Sequence, residues 1–323
     1  MKILVTGACG YKGSVLVPKL LAQGHQVTAL DIMWFGNKLE VHKNLTVKEH
    51  DIRDVESLDL TEFEAIIHLA SVANDPCGDL NPKLTWEISC LATMQLADKA
   101  SKSCVKQFIY ASSGSVYGVK EEEQVTEELE LTPISEYNKT KMVAERVLLS
   151  YANKMAVQIV RPATVCGLSP RMRLDVSVNL LTMAALKNNN ITVFGGDQAR
   201  PNIHMDDITD LYIFMLNNPE KTQGVFNAGF ENITIMDIAK KVQANMAGKG
   251  IECSIEVTPS NDPRSYRVNS DKLLATGFKP SKTVADAIEE IVSAYQKGKL
   301  TDKPEFHNLH WMQDNILLNS DVN

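Results

Sequence analysis

Tyr137 and Lys141 have the residue types and spacing of an acid/base pair. They are four positions apart in the segment YNKTK (137–141), so on a helix their side chains share a face. A nearby ammonium stabilises a phenolate and lowers a tyrosine pKa from about 10 toward neutral pH. Tyr137 is therefore predicted to take a proton from an alcohol hydroxyl, or to return one. Ser113, at the end of a predicted strand, is predicted to hydrogen-bond and orient the same hydroxyl.

A glycine-rich turn lies far upstream of this pair. The segment TGACGYKG (6–13) joins an apolar first strand to a first helix. Its glycines let the backbone approach a pyrophosphate, and the helix N-terminus directs N–H groups and a partial positive charge at that anion. The turn predicts these dinucleotide contacts: Gly7, Cys9, Gly10, Tyr11, Lys12 and Gly13.

Asp31 indicates which dinucleotide binds. It ends the second predicted strand, 18 residues after the last glycine of the turn. A carboxylate there accepts hydrogen bonds from the adenosine ribose and repels a 2′-phosphate, which favours NAD over NADP. The Lys12 ammonium suits a pyrophosphate and a 2′-phosphate alike, so NADP stays the alternative. Together with the turn and the acid/base pair, Asp31 predicts a nicotinamide-dependent oxidoreductase.

Two more segments fall where a bound dinucleotide would cross the strand ends. One follows the third predicted strand and the other follows the fourth. Their predicted cofactor contacts are Asp51, Ile52, Leu69, Ala70 and Ser71. His68, which precedes the second segment, is predicted to be a buried imidazole with its hydrogen bonds satisfied.

The elements that must position these residues alternate between strand and helix patterns, which predicts a parallel sheet covered on both faces. The predicted strands are 2–6, 26–31, 45–50, 65–70, 107–112 and 157–161, and the predicted helices are 12–23, 83–102 and 137–153. Later elements are helices at 176–188, 205–217, 234–246 and 283–297, with strands at 191–194, 225–228 and 251–257.

These patterns predict an α/β fold: a Rossmann-like, doubly wound parallel sheet with a smaller, discontinuous α/β substrate-binding domain. The predicted NAD-binding domain comprises residues 1–166 and 203–229, and it carries the catalytic residues. The predicted substrate domain comprises residues 167–202 and 230–300. Two alternatives stay open for the tail, residues 301–323: it packs back on the protein, or it reaches a partner.

Composition excludes several other classes. The formal net charge of −7 argues against nucleic acid or an anionic membrane as the main partner. No apolar stretch approaches the roughly 20 residues that span a bilayer, and the N-terminus is predicted to be a strand rather than a secretory signal. The six cysteines show neither C-x-x-C pairs nor zinc spacing, which predicts reduced thiols, a cytoplasmic location and no metal site.

Several segments together resemble one family, the extended short-chain dehydrogenases/reductases of the NAD-dependent nucleotide-sugar epimerase/dehydratase group. The matching segments are TGACGYKG (6–13), HLAS (68–71), YASSGSVYG (110–118), YNKTK (137–141), RPATVCG (161–167) and RPNIHMDD (200–207). The resemblance implies that Ser113, Tyr137 and Lys141 form the catalytic trio beside the nicotinamide. It also implies that the backbone of Arg161 and Ala163 lies near that ring.

The resemblance further implies a nucleotide-sugar clamp. Its predicted members are Ser113, Ser115, Asn179, Phe194, Arg200 and Arg264, with Arg267 as a second candidate for the role of Arg264. Arginines suit bidentate contacts to a diphosphate, and an aromatic ring suits the face of a base. The sugar stays open, as does the base among uracil, thymine and guanine.

The resemblance narrows the reaction without settling it. The family's 4,6-dehydratases carry Asp-Glu directly after the catalytic Ser/Thr, whereas this chain has Gly114-Ser115. Epimerases at C3 and C5 typically place a cysteine where this chain has Ser115, a poor base without an activating partner. Cys166 replaces a frequent tyrosine, and its contribution stays open. The favoured reactions are 4-epimerisation and net C4 oxidation; a 4-ketosugar reductase is the alternative, and a non-catalytic NAD sensor represents another class.

Two final expectations concern the setting of the protein. Segments 169–175 and 262–272 resemble a bacterial branch that modifies sugars for surface polysaccharides. The family usually dimerises through the helices predicted here at 83–102 and 137–153. The first of these carries excess apolar residues: Leu84, Ile88, Leu91, Met94 and Leu96. A homodimer through these helices is therefore predicted.

Overall fold

The computed structural model describes residues 1–259 and 267–317. Its centre is a seven-stranded sheet in which every neighbouring pair of strands is parallel. In spatial order the strands are β10 (Gly224–Ala228), β6 (Ala156–Pro162), β5 (Gln107–Ala111), β4 (Ala65–His68), β1 (Lys2–Thr6), β2 (Gln26–Asp31) and β3 (Leu45–Glu49). The predicted doubly wound parallel sheet is confirmed.

Helices cover both faces of this sheet, and others pack beside the small sheets described below. They are α1 (Gly13–Ala22), α2 (Asp75–Leu80), α3 (Pro82–Trp86), α4 (Ala92–Ser101), α5 (Glu136–Leu149), α6 (Ser177–Asn188), α7 (Met205–Asn217), α8 (Ile235–Gly248), α9 (Asp271–Ala275), α10 (Val284–Gln296) and α11 (Asn308–Met312). Short 3₁₀ turns occupy Gly114–Tyr117 and Pro304–Phe306, and π-helical turns occupy Glu87–Leu91 and Gln313–Leu317. The helix predicted at 83–102 is therefore divided between α3 and α4 by a π-helical turn.

The apolar residues of β1 show how the sheet makes two cores. Ile3 and Val5 point into one hydrophobic cluster with α1 and α7, and Leu4 points into another with α4 and α5. Successive side chains of a strand face opposite sides, so a strand buried on both faces is apolar throughout. That is why a continuous apolar run marked each central strand in the sequence.

Two small sheets lie beside the central one. A three-stranded sheet contains β7 (Thr164–Cys166), β9 (Ala199–His204) and β11 (Glu231–Thr234), and a parallel pair contains β8 (Asn190–Phe194) and β12 (Ser254–Thr258). The helices α6, α8 and α10 share a third hydrophobic cluster with β8. The predicted domain boundary between 202 and 203 falls inside β9, and the division into two domains stays a prediction.

The C-terminal segment packs back on the protein. Phe306 and Met312 are buried in the two main clusters, and the backbone N–H of Leu174 donates to the carbonyl of Phe306 at 2.9 Å. Up to residue 317, the tail thus packs on its own chain, and a contact with a partner stays open. Across the described ranges, the structure contains no helix with the length and apolar character needed to cross a membrane.

Candidate active site

A cleft of about 1120 Å³ opens at the carboxyl ends of the central strands. It lies where the strand order changes direction between β1 and β4, the place where open α/β sheets bind ligands. All of the predicted glycine-turn residues line it, as do Asp31, Asp51, Ile52, Leu69, Ala70 and Ser71. The structure therefore brings these predicted cofactor contacts to one surface.

Two glycines of the turn are required by their surroundings. Gly7 has φ +67°, and a β-carbon there would lie 2.6 Å from the backbone nitrogen of Ala70. A β-carbon on Gly13 would lie 2.5 Å from the carbonyl oxygen of Ala8. The bare backbone at these positions packs the turn tightly against the loop after β4, which leaves the start of α1 open to an anion.

Asp31 is held by the turn that it faces. Its Oδ2 accepts the backbone N–H of Cys9 at 2.9 Å, and its Oδ1 accepts that of Met33 at 2.7 Å. Burial raises the pKa of Asp31, and these two N–H groups oppose that shift by stabilising the carboxylate. A carboxylate oxygen has a second lone pair, so Asp31 keeps acceptor capacity toward a ribose in the cleft.

Three cations line the same part of the cleft. Burial and the neighbouring Arg173 lower the pKa of Lys12 to about 8 and that of Arg171 to about 9. Arg173 itself makes a bidentate pair with Asp175, with both N···O distances 2.9 Å. A dinucleotide diphosphate fits this arrangement, because its negative charge would offset the mutual repulsion of the cations.

Arg171 and Arg173 were not among the predicted site residues. Their only signal in the sequence was the segment SPRMRLD (169–175), which was noted for its resemblance to a branch of the family. The long separation between this segment and the glycine turn concealed their proximity.

The predicted catalytic residues lie at the same cleft. Tyr137 lies in the first turn of α5 and lines the cleft, as Ser113 does. Lys141 lies behind them, with 2% of its surface exposed and its Nζ 5.8 Å from the centroid of the Tyr137 ring. That Nζ donates to the carbonyl of Ala111 at 2.8 Å. Burial, reinforced by Lys12 and opposed by Glu145, lowers the pKa of Lys141 to about 7.

Ser113 belongs to a chain of polar side chains. Its Oγ lies 2.6 Å from the Oγ of Ser115, and the Ser115 hydroxyl donates to Oδ1 of Asn138. Asn138 is buried one residue after Tyr137. The chain connects the Ser113 hydroxyl to the residue that follows Tyr137 and occupies the hydroxyl of Ser115.

A buried ion pair supports this arrangement from behind. Arg161 lies outside the cleft lining, and its guanidinium contacts Glu145 of α5 at 2.7 Å and the hydroxyl of Tyr117 at 2.7 Å. Glu145 also accepts a hydrogen bond from Ser112. Ala163 lines the cleft and Arg161 does not, and the expectation that the backbone of both residues lies near the nicotinamide stays a prediction.

Asn179 also departs from its predicted position. It is 0% exposed and lies outside the cleft lining, because its amide is used inside the protein. It donates to the carbonyl of Arg173 at 2.7 Å and to the hydroxyl of Tyr11 at 2.9 Å, and it accepts the N–H of Gly167 at 3.0 Å. Asn179 therefore positions the loop that carries the arginines instead of facing a substrate.

The remaining predicted clamp residues fall in three places. Phe194 and Arg200 line the cleft, and the Phe194 ring is 60% exposed at its rim. Arg264 lies outside the described residues. Arg267 is exposed, and its backbone carbonyl accepts the N–H of Val125 at 2.7 Å.

His68 and Cys166 are both buried away from the cleft. The ring nitrogens of His68 bond Thr6 at 2.6 Å and Thr93 at 2.8 Å, and burial lowers its pKa to about 3, which confirms the predicted buried imidazole. Cys166 is 0% exposed beneath α6, and burial raises its pKa. Cys166 is therefore badly placed and badly poised to act as a base.

Comparison with known proteins places this geometry in a family. The model of the NAD-dependent epimerase/dehydratase family matches residues 3–229. The chain belongs to this family. As a family member it is an NAD-dependent enzyme of the extended short-chain dehydrogenase/reductase type that acts on nucleotide sugars, and the predicted family and cofactor are confirmed.

Individual relatives of this epimerase/dehydratase family member catalyse different reactions. It is 27% identical to the UDP-glucose 4-epimerase of Lactobacillus helveticus, over 89% of this chain and 94% of the relative. It is 27% identical to UDP-glucuronic acid decarboxylase 1 of Xenopus tropicalis, over 92% of this chain and 72% of the relative. The structure of Bacillus cereus UDP-glucuronic acid 4-epimerase in complex with UDP-glucuronic acid and NAD matches with TM-score 0.79 and 25% identity, over 92% of this chain and 99% of that one.

Proposed function

We propose that this enzyme is a UDP-sugar 4-epimerase that oxidises C4 of the sugar and then reduces it from the opposite face. The observation that carries the proposal is the placement of Ser113 and Tyr137 on one cleft, with Lys141 buried directly behind the Tyr137 ring. Relatives that are 4-epimerases of UDP-glucose and UDP-glucuronic acid support the choice of a UDP-sugar.

The residues of the cleft divide the work of oxidation. Ser113 accepts or donates a hydrogen bond at O4 and holds that oxygen against Tyr137, whose phenolate takes the O4 proton. Lys141 stabilises the phenolate by its charge. NAD held by the glycine turn and Asp31 would supply a hydride acceptor for oxidation at C4 and a hydride donor for reduction of the ketone from its other face. Tyr137 then returns its proton to O4, so protons and electrons balance over the cycle.

The surroundings of Ser113 favour a reaction confined to C4. Gly114 brings no side chain, and the hydroxyl of Ser115 is engaged by Asn138. Neither residue offers the carboxylates with which the family's dehydratases eliminate water. Cys166 is buried outside the cleft. Proton removal at C3 or C5 would thus lack the groups by which relatives perform it.

Phe194 and Arg200 support the nucleotide part of the proposal. Both line the cleft, Phe194 at the end of β8 and Arg200 in β9. An exposed ring at the rim suits the face of uracil, and a guanidinium suits the diphosphate. We propose these two residues as the substrate clamp, together with Arg264 on sequence grounds.

The experiment is NMR of UDP-glucose, UDP-N-acetylglucosamine and UDP-glucuronic acid, each incubated in deuterated water with the enzyme and NAD. The proposal predicts the C4 epimer of one substrate, with protium retained at C3 and C5. Deuterium at C3 or C5 would overturn the mechanism. A stable 4-ketosugar formed with stoichiometric NADH would instead identify a dehydrogenase. Reduction of an added 4-ketosugar at the expense of NADH would identify a reductase.

We also propose a cellular setting and an assembly for the enzyme. Six free cysteines support a reducing compartment, for which we propose the cytoplasm, and the resemblance of 169–175 supports surface-polysaccharide precursors as the product class. We further propose a homodimer through α4 and α5. Leu91, in the π-helical turn before α4, is 49% exposed and is the residue available for such an interface, whereas Ile88 and Leu96 belong to the core. Leu91→Glu should lower the mass measured by light scattering to that of a monomer, and an unchanged mass would exclude this interface.

A further inference from the structure

The C-terminal segment contributes a residue to the cofactor cleft. Asn308, the first residue of α11, is 3% exposed and lines the cleft although it is 137 positions from its partner Arg171. Its Oδ1 accepts from Nη2 of Arg171 at 2.6 Å, and its backbone N–H donates to Oδ2 of Asp175 at 3.3 Å. Asn308 thus holds the segment that carries the cleft arginines.

The same short helix holds the opposite wall. Nε1 of Trp311 donates to the carbonyl of Trp34 at 2.7 Å, in the loop that follows Asp31. Trp34 and Phe35 of that loop line the cleft. The guanidinium of Arg171 lies 3.9 Å from the centroid of the Phe35 ring, so the two walls meet beneath α11.

We propose that residues 304–317 form a strap that closes the adenosine and diphosphate end of the cofactor site and slows the release of NAD. Asn308 and Trp311 act as positioning residues: the first holds Arg171, and the second holds the loop after β2. The inference concerns the cofactor alone, so it holds whichever reaction the enzyme performs at C4.

Electrostatics couples the strap to an anion in the cleft. Arg171 has less than 2% of its surface exposed, and burying a guanidinium beside Arg173 costs free energy. Asn308 and the face of Phe35 offset part of that cost. A nearby diphosphate would offset more, so bound NAD should favour the closed strap, and the closed strap should equally favour bound NAD.

The strap also bears on the outcome of catalysis. A cofactor that leaves slowly stays through both halves of a cycle, so it is present to return its hydride to the same sugar. An enzyme that exchanges its cofactor at every turnover would gain nothing from a closed adenosine pocket. Retention therefore favours epimerisation over net oxidation, without depending on it.

The test compares variants on one helix. Asn308→Ala removes the acceptor for Arg171, Trp311→Phe keeps an aromatic ring but removes the indole N–H, and His310→Ala changes an exposed neighbour as the matched control. NAD dissociation is followed, without any sugar, by trapping released NAD with excess alcohol dehydrogenase and ethanol. Loss of a hydrogen bond to a charged group predicts release roughly 10-fold to 100-fold faster for Asn308→Ala. Trp311→Phe should accelerate release less, and the control should match the wild type.

Equal release rates in all three folded variants would overturn the proposal. Should a variant fail to fold, hydrogen exchange of the wild-type protein decides. ADP-ribose, which carries the adenosine and diphosphate but not the nicotinamide, should slow amide exchange in residues 304–317, whereas nicotinamide mononucleotide should slow it less. Unchanged exchange with ADP-ribose would equally overturn the strap. Either failure leaves the proposed C4 chemistry untouched, because no sugar takes part.

Discussion

Removal of the Glu145 carboxylate should destabilise the protein strongly. Glu145 is 1% exposed and Arg161 is 5% exposed, and the pair is joined through two nitrogens at 2.7 and 3.0 Å. Glu145→Ala would leave a buried guanidinium with the Tyr117 hydroxyl but without its carboxylate. Breaking a buried pair from one side costs about 3–5 kcal/mol, so we expect the free energy of unfolding to fall by that amount.

Urea unfolding at pH 7 measures this effect as a lower midpoint at constant slope. The double variant Glu145→Leu/Arg161→Met removes both charges and should recover at least half of the lost stability, because a buried pair replaced by apolar groups is close to neutral. A single variant within about 1 kcal/mol of the wild type, or a double variant less stable than the single one, would refute the reasoning. The charge of Glu145 raises the pKa of Lys141, so its removal should lower that pKa further. Lys141 would then lose its proton at a lower pH, and the alkaline limb of the pH–activity profile should move to lower pH.

Three further predictions concern single residues. Gly7→Ala should lower the free energy of unfolding, measured in urea, by about 2–4 kcal/mol. An alanine is strained at the positive φ of Gly7, and its β-carbon would lie 2.6 Å from the backbone nitrogen of Ala70. Gly10 has no positive φ, so Gly10→Ala should cost clearly less. Tyr137→Phe should lower kcat by about 10²–10⁴-fold while bound NAD and Tm stay unchanged, and a loss below tenfold would remove Tyr137 from the mechanism. Burial lowers the pKa of His68 to about 3 in the folded protein, whereas in the unfolded chain it stays near 6.5. As the pH falls below 6.5, His68 is therefore protonated in the unfolded chain but not in the folded protein. Stability should therefore drop by about 2 kcal/mol between pH 7 and 5, and His68→Gln should remove that part of the slope, whereas an unaltered slope would contradict it.

The sequence predicted the central sheet because each of its strands is buried on both faces and therefore apolar throughout. The strands β7, β9 and β11 were missed for the opposite reason. Strand β9 contains Arg200, Pro201 and Asn202, and this run of two polar residues and a proline does not show the apolar pattern of a strand. Strand β7 has only three residues directly after Ala163. These strands depend on tertiary pairing, which local periodicity does not report.

The site divides in the same way. The glycine turn, Asp31 and the Tyr137/Lys141 pair are local patterns with a fixed chemical meaning, so they were visible in the sequence. Asn308 reaches the cleft only through packing of the distant C-terminal segment, and no spacing could have revealed it. Asn179 was assigned to substrate binding by resemblance. In the structure its buried amide makes three internal hydrogen bonds and holds the loop that carries the arginines.

The most direct test of the account follows the hydrogen at C4 of the sugar. UDP-glucose and UDP-glucuronic acid carrying deuterium at C4 are incubated with the enzyme, NAD and excess unlabelled NADH, and the products are analysed by mass spectrometry and NMR. The account predicts a C4 epimer that keeps its deuterium at C4, because the hydride returns to the carbon from which it came. An epimer with protium at C4, or deuterium accumulating in free NADH beside a ketosugar, would contradict it.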